Sequence, residues 1–119
     1  MGTLVSILNS EKPVRVLDKP AENRARNVYL AQVNNTFGEN KVFLPYSVGL
    51  LQAYAEKQPD LNGFYRFARP FFMRDDPKDI ARSLESPDVL GISCYIWNWE
   101  WSKALAREAK ERHPDTLVV

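Results

Sequence analysis

The sequence predicts an α/β fold, because short apolar segments alternate with helical segments along the chain. The extended segments are Val28–Val33, Phe64–Phe72, Val89–Ile96 and Thr116–Val119. The helical segments are Ser47–Gln58, a helix that begins at Asp76, and Trp99–His113. The β-α-β-α-β-α-β succession indicates a three-layer, doubly wound parallel sheet with right-handed crossovers, of the Rossmann or flavodoxin-like type. We expect the strand order 2-1-3-4, with the sheet incomplete at the C-terminus.

The strand predictions rest on composition. The runs VYLAQV (Val28–Val33) and VLGISCYI (Val89–Ile96) are apolar almost throughout and rich in β-formers, as is typical of strands with both faces covered. Phe64–Phe72 is a weaker candidate, since Pro70 interrupts it. The single cysteine, Cys94, falls within the third strand and is predicted to be a buried thiol.

The helix predictions rest on spacing and on end signals. Asp76 can cap a helix whose first residue is Pro77, and Asp79 favours the positive end of the helix dipole. Pro59 and Pro114 end the flanking helices. The residues predicted to face the core share helical spacing; they are Val48, Leu51, Tyr54 and Ala55, then Ile80, Ala81 and Leu84, then Trp101, Ala104, Leu105 and Ala109. Gly49 suggests close packing of the first helix on the sheet, and Gly91 a close approach within the third strand.

Length and charge limit the class of protein. The 119 residues, with a net charge of +1, suffice for one small domain and give no electrostatic reason to expect nucleic acid as a partner. No apolar run approaches the roughly 20 residues of a membrane span, and no secretory signal is recognisable, so we expect a cytoplasmic protein without a membrane partner. One cysteine excludes an internal disulfide or a multi-cysteine cluster.

Two segments are predicted along the chain. Residues 1–26 are polar and proline-containing and are interpreted as a leader or linker, with a possible short strand at Val14–Leu17. Residues 27–119 form a partial α/β domain. Because nothing follows the last strand to cover its side of the sheet, we expect the sequence to be the front portion of a larger protein.

The candidate site lies where the strand order reverses, at the carboxyl ends of the first and third strands. The loops there are Asn34–Tyr46 and Ser93–Asn98. The first is long for a connection of about 2–6 residues and is rich in polar, turn-forming residues. It lacks the G-x-G-x-x-G and G-x-x-x-x-G-K-[ST] patterns of nucleotide sites. Its candidate binding residues are Asn34, Asn35, Thr36 and Gly38.

The second loop leads into three tryptophans at alternate positions. Trp101 is predicted to lie in the core, whereas Trp97 and Trp99 are candidates for covering a large flat ligand or docking another domain. Ser93 and Tyr95 are expected in the same crevice. His113, at a helix end, is interpreted as a cap rather than a ligand. No catalytic residue or metal site is predicted.

The motifs, taken in order, are similar to those of a known family. Pro45, Ser47, Gly49 and Leu50 form a Pro-x-small-x-Gly-Leu helix entry; Pro87–Ser93 form a Pro-Asp-apolar-apolar-Gly-apolar-Ser strand; and Lys110 and Pro114 end the next helix. Over residues 27–119 the sequence resembles the N-terminal cobalamin-binding domain of cobalamin-dependent radical S-adenosylmethionine (radical SAM) proteins.

The resemblance implies that a doubly wound sheet holds cobalamin at its carboxyl edge, with Ser93 matching the serine that contacts the nucleotide tail. Since Asn34–Tyr46 contains no histidine, an imidazole ligand to cobalt from this segment is not expected, which favours the radical enzymes over the methionine-synthase type. For the larger protein the resemblance implies a C-terminal radical SAM domain, an iron–sulfur cluster and S-adenosylmethionine, with cobalamin relaying a methyl group to substrate.

Two alternatives remain from the residues. A receiver-like or flavodoxin-like domain would share the fold, but a receiver needs acidic residues where Asn34-Asn35 and Tyr95–Trp97 stand, and the first loop gives thin support for a flavin phosphate site. A non-catalytic docking module, or a vestigial domain that binds no cofactor, is the stronger rival.

Overall fold

The computed structural model describes residues 24–34 and 43–119. Within them, one four-stranded sheet has the order β2-β1-β3-β4, and each neighbouring pair of strands is parallel. The strands are β1 (Arg26–Ala31), β2 (Tyr65–Phe67), β3 (Val89–Ile92) and β4 (Leu117–Val118). The predicted fold class and strand order are therefore confirmed. The possible strand at Val14–Leu17 and all but the last residues of the 1–26 segment lie outside the described residues.

Three helices and a single 3₁₀ turn connect the described strands. They are α1 (Tyr46–Glu56), α2 (Pro77–Ser83), the 3₁₀ turn (Ile96–Asn98) and α3 (Trp99–Arg112). The start of α2 forms as its sequence predicts: the Asp76 carboxylate accepts a hydrogen bond of 2.8 Å from the Lys78 backbone N–H, and Pro77 is the first helical residue. No helix in these described ranges is long and apolar enough to cross a membrane.

The two faces of the sheet carry cores of different size. One face packs against α2 and α3 in a cluster of eight buried residues, which are Ala31, Val33, Ile80, Leu84, Leu90, Trp101, Leu105 and Ala109. The other face has Val28 and Leu30 packed with Val48 of α1. Since alternate residues of a strand point to opposite faces, β1 contributes to both clusters. The sheet has helices on both sides, as a doubly wound fold requires.

The first helix departs from the prediction. Val48 and Ala55 are buried as expected, but Leu51 and Tyr54 are exposed. The helix carries apolar residues around more than half of its circumference, and only the narrow side that contacts the sheet is covered. Gly49 was also expected to pack closely, yet a Cβ placed there would meet no described atom within 4 Å. The close approach at Gly91 is present, since a Cβ there would lie 2.8 Å from Leu30 Cδ2.

The second and third strands are shorter than predicted. β2 ends at Phe67, and the remainder of the Phe64–Phe72 segment pairs only through an isolated bridge between Phe71 and Ala31. β3 ends at Ile92 rather than Ile96, because the chain turns into the 3₁₀ turn after Ser93 donates its last hydrogen bond, 2.8 Å, to the Ala31 carbonyl. Cys94 therefore lies beyond the strand, and its thiol is exposed; the prediction that it is buried is wrong.

Candidate site at the carboxyl edge of the sheet

The described ends of the two predicted loops lie side by side. β1 and β3 are paired neighbours, from Val28 with Val89 to Ala31 with Ile92, so the segments that follow them leave the sheet at the same edge. The first loop then leads into α1, whose Val48 backbone N–H donates to the buried Gln32 Oε1 at 3.2 Å. Three elements, β1, β3 and the beginning of α1, thus meet at the point where the strand order reverses.

A single buried asparagine joins these backbone segments. Asn98 is 1% exposed, and its Nδ2 donates to the Val33 carbonyl at 3.0 Å and to the Ser93 carbonyl at 2.9 Å. Its Oδ1 accepts from the Tyr95 backbone N–H at 2.7 Å. The carboxamide therefore links the carboxyl end of β1, the carboxyl end of β3 and the start of the 3₁₀ turn.

The turn presents aromatic side chains to solvent. The rings of Tyr95 and Trp97 stack with centroids 4.6 Å apart and an angle of 6° between their planes. Trp97 is 44% exposed, Trp99 52% and Ile96 95%. Arg74 fixes the backbone here by donating to the Trp97 carbonyl at 2.9 Å, and the Lys103 ammonium lies 5.6 Å from the centroid of the Trp99 ring.

These side chains line an open apolar depression of about 490 Å³, formed by Cys94, Tyr95, Ile96, Trp97 and Trp99. The volume lies within the range of roughly 300–1,000 Å³ that is usual for small-molecule sites. Exposed aromatic side chains beside one another are costly in water, because each leaves apolar area unburied. The arrangement suits a flat, largely apolar ligand surface.

The depression has a polar margin at Tyr95. Hydrogen bonds from the Ser47 hydroxyl and, to a smaller extent, from the Ser93 hydroxyl stabilise the phenolate and lower the pKa of Tyr95 from its ordinary value of 10.0. Ser47 belongs to the first turn of α1 and Ser93 follows β3.

The structure brings several of the predicted binding residues together and leaves others outside its description. Ser93, Tyr95, Trp97 and Trp99 lie at the carboxyl edge, and Asn34 follows β1 there, half-buried. Asn35, Thr36 and Gly38 lie outside the described residues. Whether any of these side chains contacts a cofactor stays a prediction.

Trp101 has the core position predicted for it. It is 8% exposed, and its indole N–H donates to the Asp75 carbonyl at 2.8 Å. His113 is the C-terminal cap of α3, as interpreted from the sequence, and its Nε2 lies 3.4 Å from the Ala81 carbonyl oxygen.

Two structural residues of the site were not identified from the sequence. Gln32 is a polar residue inside an otherwise apolar run, and that contrast is a signal for a buried hydrogen bond. Asn98 carries no such signal, since an asparagine between two tryptophans near a helix start is equally typical of an exposed turn. Within residues 24–34 and 43–119, no group of three or more metal-ligating side chains is placed to hold a metal ion.

Comparison with known proteins gives two relatives. The chain is 41% identical over 100 residues to 2-(S-pantetheinyl)-carbapenam-3-carboxylate methyltransferase of Streptantibioticus cattleyicolor, a match that covers 84% of this chain and 14% of the relative. It is 37% identical over 97 residues to the cobalamin-dependent radical SAM methyltransferase TokK of Streptomyces tokunonensis, covering 82% of this chain and 14% of that protein. No family model matches the sequence. The chain thus spans about one-seventh of the length of each relative, and over most of its own length it is similar to part of two methyltransferases.

Proposed function

We propose that residues 27–119 belong to the cobalamin-binding module of a larger cobalamin-dependent radical SAM methyltransferase. The observation that carries the proposal is the exposed aromatic depression at the carboxyl edge of β1 and β3, the place where ligands bind in doubly wound sheets. The similarity to a protein named as cobalamin-dependent supports the choice of ligand.

The residues present fit a corrinoid. The corrin ring is broad, flat and apolar on its faces, and the indoles of Trp97 and Trp99 offer apolar surface of the same kind. The hydroxyls of Ser93, Tyr95 and Ser47 would supply hydrogen-bonding groups for the polar amides or the nucleotide tail of a cobalamin. Asn34 lies at the same edge, and we include Asn35, Thr36 and Gly38 of the first loop in the proposed binding set.

The protein's part in this function is to bind and orient the cofactor and to exclude water from one of its faces. Cobalamin, when bound, supplies the methyl-carrier chemistry, and no residue of this chain is assigned a catalytic step. Because the chain matches only 14% of each relative, we place the iron–sulfur cluster, S-adenosylmethionine and a C-terminal radical SAM domain in the remainder of the larger protein. A cytoplasmic location stays a prediction.

A visible-spectrum titration of the purified chain with hydroxocobalamin tests the proposal. We expect a saturable spectral change, and we expect Trp97→Ala and Trp99→Ala each to weaken binding by about ten- to a hundredfold. The estimate takes roughly half of a tryptophan's area of about 150–250 Å², at about 25 cal/mol per Å², and about 1.4 kcal/mol per tenfold change in affinity.

The matched control is Tyr54→Ala. Tyr54 is another exposed aromatic residue, but it lies near the C-terminal end of α1, the end that leads toward the amino edge of the sheet. We expect it to leave hydroxocobalamin affinity unchanged. A chain that is folded by circular dichroism and gives no spectral change with hydroxocobalamin would contradict the proposal.

One observation favours the docking alternative. α1 carries exposed apolar side chains at successive helical turns, Tyr46, Leu50 and Tyr54, with Leu51 beside them. Patches of this kind on a helix are typical of protein interfaces. A docking module without cofactor predicts no spectral change with hydroxocobalamin, together with concentration-dependent association that Leu50→Glu abolishes.

A further inference from the structure

At the carboxyl edge, every contact of the Asn98 side chain holds backbone. Asn98 is 1% exposed and uses both donors and its acceptor on main-chain groups: the Val33 carbonyl, the Ser93 carbonyl and the Tyr95 N–H. The Asn98 backbone N–H in turn donates to the Tyr95 carbonyl at 3.2 Å, which closes the 3₁₀ turn. The asparagine is thus bonded to the turn through both its side chain and its main chain.

The position of the aromatic depression depends on these bonds. Tyr95 and Trp97 are stacked on each other, so the turn carries them as one unit. The side chain of Asn98 ties that unit to β1 by the bond to Val33, which is 65 residues away along the chain. The Arg74 bond to the Trp97 carbonyl is a second attachment, but it comes from an exposed side chain.

We infer that Asn98 is a positioning residue: its carboxamide fixes the Tyr95–Trp97 stack relative to the ends of β1 and β3, and so preforms the wall on which a corrinoid rests. This inference rests on the proposed function. Asn98 does not touch the ligand, because it is buried beneath the turn. A rigid, preformed binding surface strengthens affinity, because no binding free energy is lost in ordering that surface when the ligand binds.

Asn98→Asp is the most discriminating substitution. Aspartate has nearly the same shape and keeps the acceptor for the Tyr95 N–H, but it loses both donors and places a carboxylate against two carbonyl oxygens. We expect hydroxocobalamin to bind at least about tenfold more weakly, the factor that corresponds to losing a buried hydrogen bond. Asn98→Ser retains a single hydroxyl and is expected to fall between wild type and Asn98→Asp; it carries the test if the aspartate variant does not fold.

A second readout separates positioning from a general loss of stability. The near-ultraviolet circular dichroism that Trp97→Ala removes is the signal of the Tyr95–Trp97 stack. We expect Asn98→Asp to remove the same signal while far-ultraviolet circular dichroism remains that of a folded chain. The matched control is Asn62→Asp, in the exposed turn after α1, which should change neither signal nor affinity.

The outcomes distinguish the inference from the proposed function. If wild type binds hydroxocobalamin and folded Asn98→Asp binds it equally well with an unchanged near-ultraviolet signal, the role of Asn98 is overturned and the proposed function stands. If wild type shows no spectral change with hydroxocobalamin, the proposed function fails, and the circular dichroism comparison still decides whether Asn98 holds the stack.

Discussion

The amino and carboxyl edges of the sheet are built differently. At the amino edge, polar groups satisfy one another within the chain. Asp88 Oδ2 accepts from the Asn27 backbone N–H at 2.8 Å, while its Oδ1 accepts from Arg24 at 2.5 Å. The buried hydroxyl of Thr116 donates to the Pro87 carbonyl at 2.7 Å. These bonds tie the beginnings of β1, β3 and β4 to one another.

At the carboxyl edge, side chains that could be buried are left in solvent. Trp97, Trp99 and Ile96 are exposed, although the same chain buries Trp101 only two positions after Trp99. The internal bonds at this edge run mostly to main-chain groups, through Asn98 and Arg74. The amino edge thus holds the fold together, and the carboxyl edge holds a surface in place, which is the division expected of a doubly wound domain that binds a ligand.

The largest expected effect contrasts two neighbouring tryptophans. Trp101→Ala removes a buried indole from the larger core, and we expect it to lower the free energy of unfolding by about 3–5 kcal/mol. Trp99→Ala removes a half-exposed indole and should lower it by less than about 1 kcal/mol. Denaturant unfolding followed by far-ultraviolet circular dichroism measures both.

The contrast within this pair is its own control, because both substitutions delete the same side chain from the same helix. Equal losses of stability would contradict the difference inferred between the two edges, since Trp99 would then stabilise the fold and not form a surface for binding.

A smaller effect is expected at the amino edge. Asp88→Ala removes the acceptor for the Asn27 N–H and for Arg24, and we expect the free energy of unfolding to fall by about 2 kcal/mol. Because Asp88 is at the opposite edge from the depression, the affinity of the folded variant for hydroxocobalamin should not change. The spectral titration, carried out without denaturant at a temperature at which the variant is folded, measures that affinity.

The exposed Asp60 provides a matched carboxylate, and Asp60→Ala should change stability by less than about 0.5 kcal/mol. A large drop in hydroxocobalamin affinity in folded Asp88→Ala would show that the two edges are coupled, contrary to the comparison.

Local chemistry was sufficient to predict part of this molecule. The Asp76–Pro77 helix start needs only neighbouring residues, and it forms as predicted. The alternation of apolar runs and helices predicts a parallel sheet, because a helical crossover returns the chain to the edge at which the previous strand began. The parallel pairing of all four strands, in the order β2-β1-β3-β4, confirms it. The core position of Trp101 followed from its spacing with Leu105 and Ala109.

Other features depend on residues far apart in sequence. Whether Tyr54 is buried depends on how much of α1 the sheet can cover. The sequence of the helix alone does not indicate the width of its covered side. The exposed thiol of Cys94 depends on where β3 ends, and the 3₁₀ turn closed by Asn98 determines that point. The carboxamide of Asn98 has its most distant partner in Val33, just beyond the end of β1, so its role becomes visible only in the folded chain.

The smallest expected effect concerns pH and the margin of the depression. The hydroxyls of Ser47 and then Ser93 lower the pKa of Tyr95 in the folded chain, whereas in the unfolded chain it returns to about 10.0. Between these two values the unfolded chain binds more protons than the folded chain, so the free energy of unfolding rises with pH. The contribution is fully present above pH 10.0 and is lost as the pH falls through the lowered pKa. We therefore expect the stability difference between wild type and Tyr95→Phe to be constant below the lowered pKa and to grow in favour of wild type as the pH rises from there toward 10.0. Denaturant unfolding at a series of pH values measures it, with Tyr54→Phe as the control; parallel curves for wild type and Tyr95→Phe would show that the phenol is not held between α1 and β3.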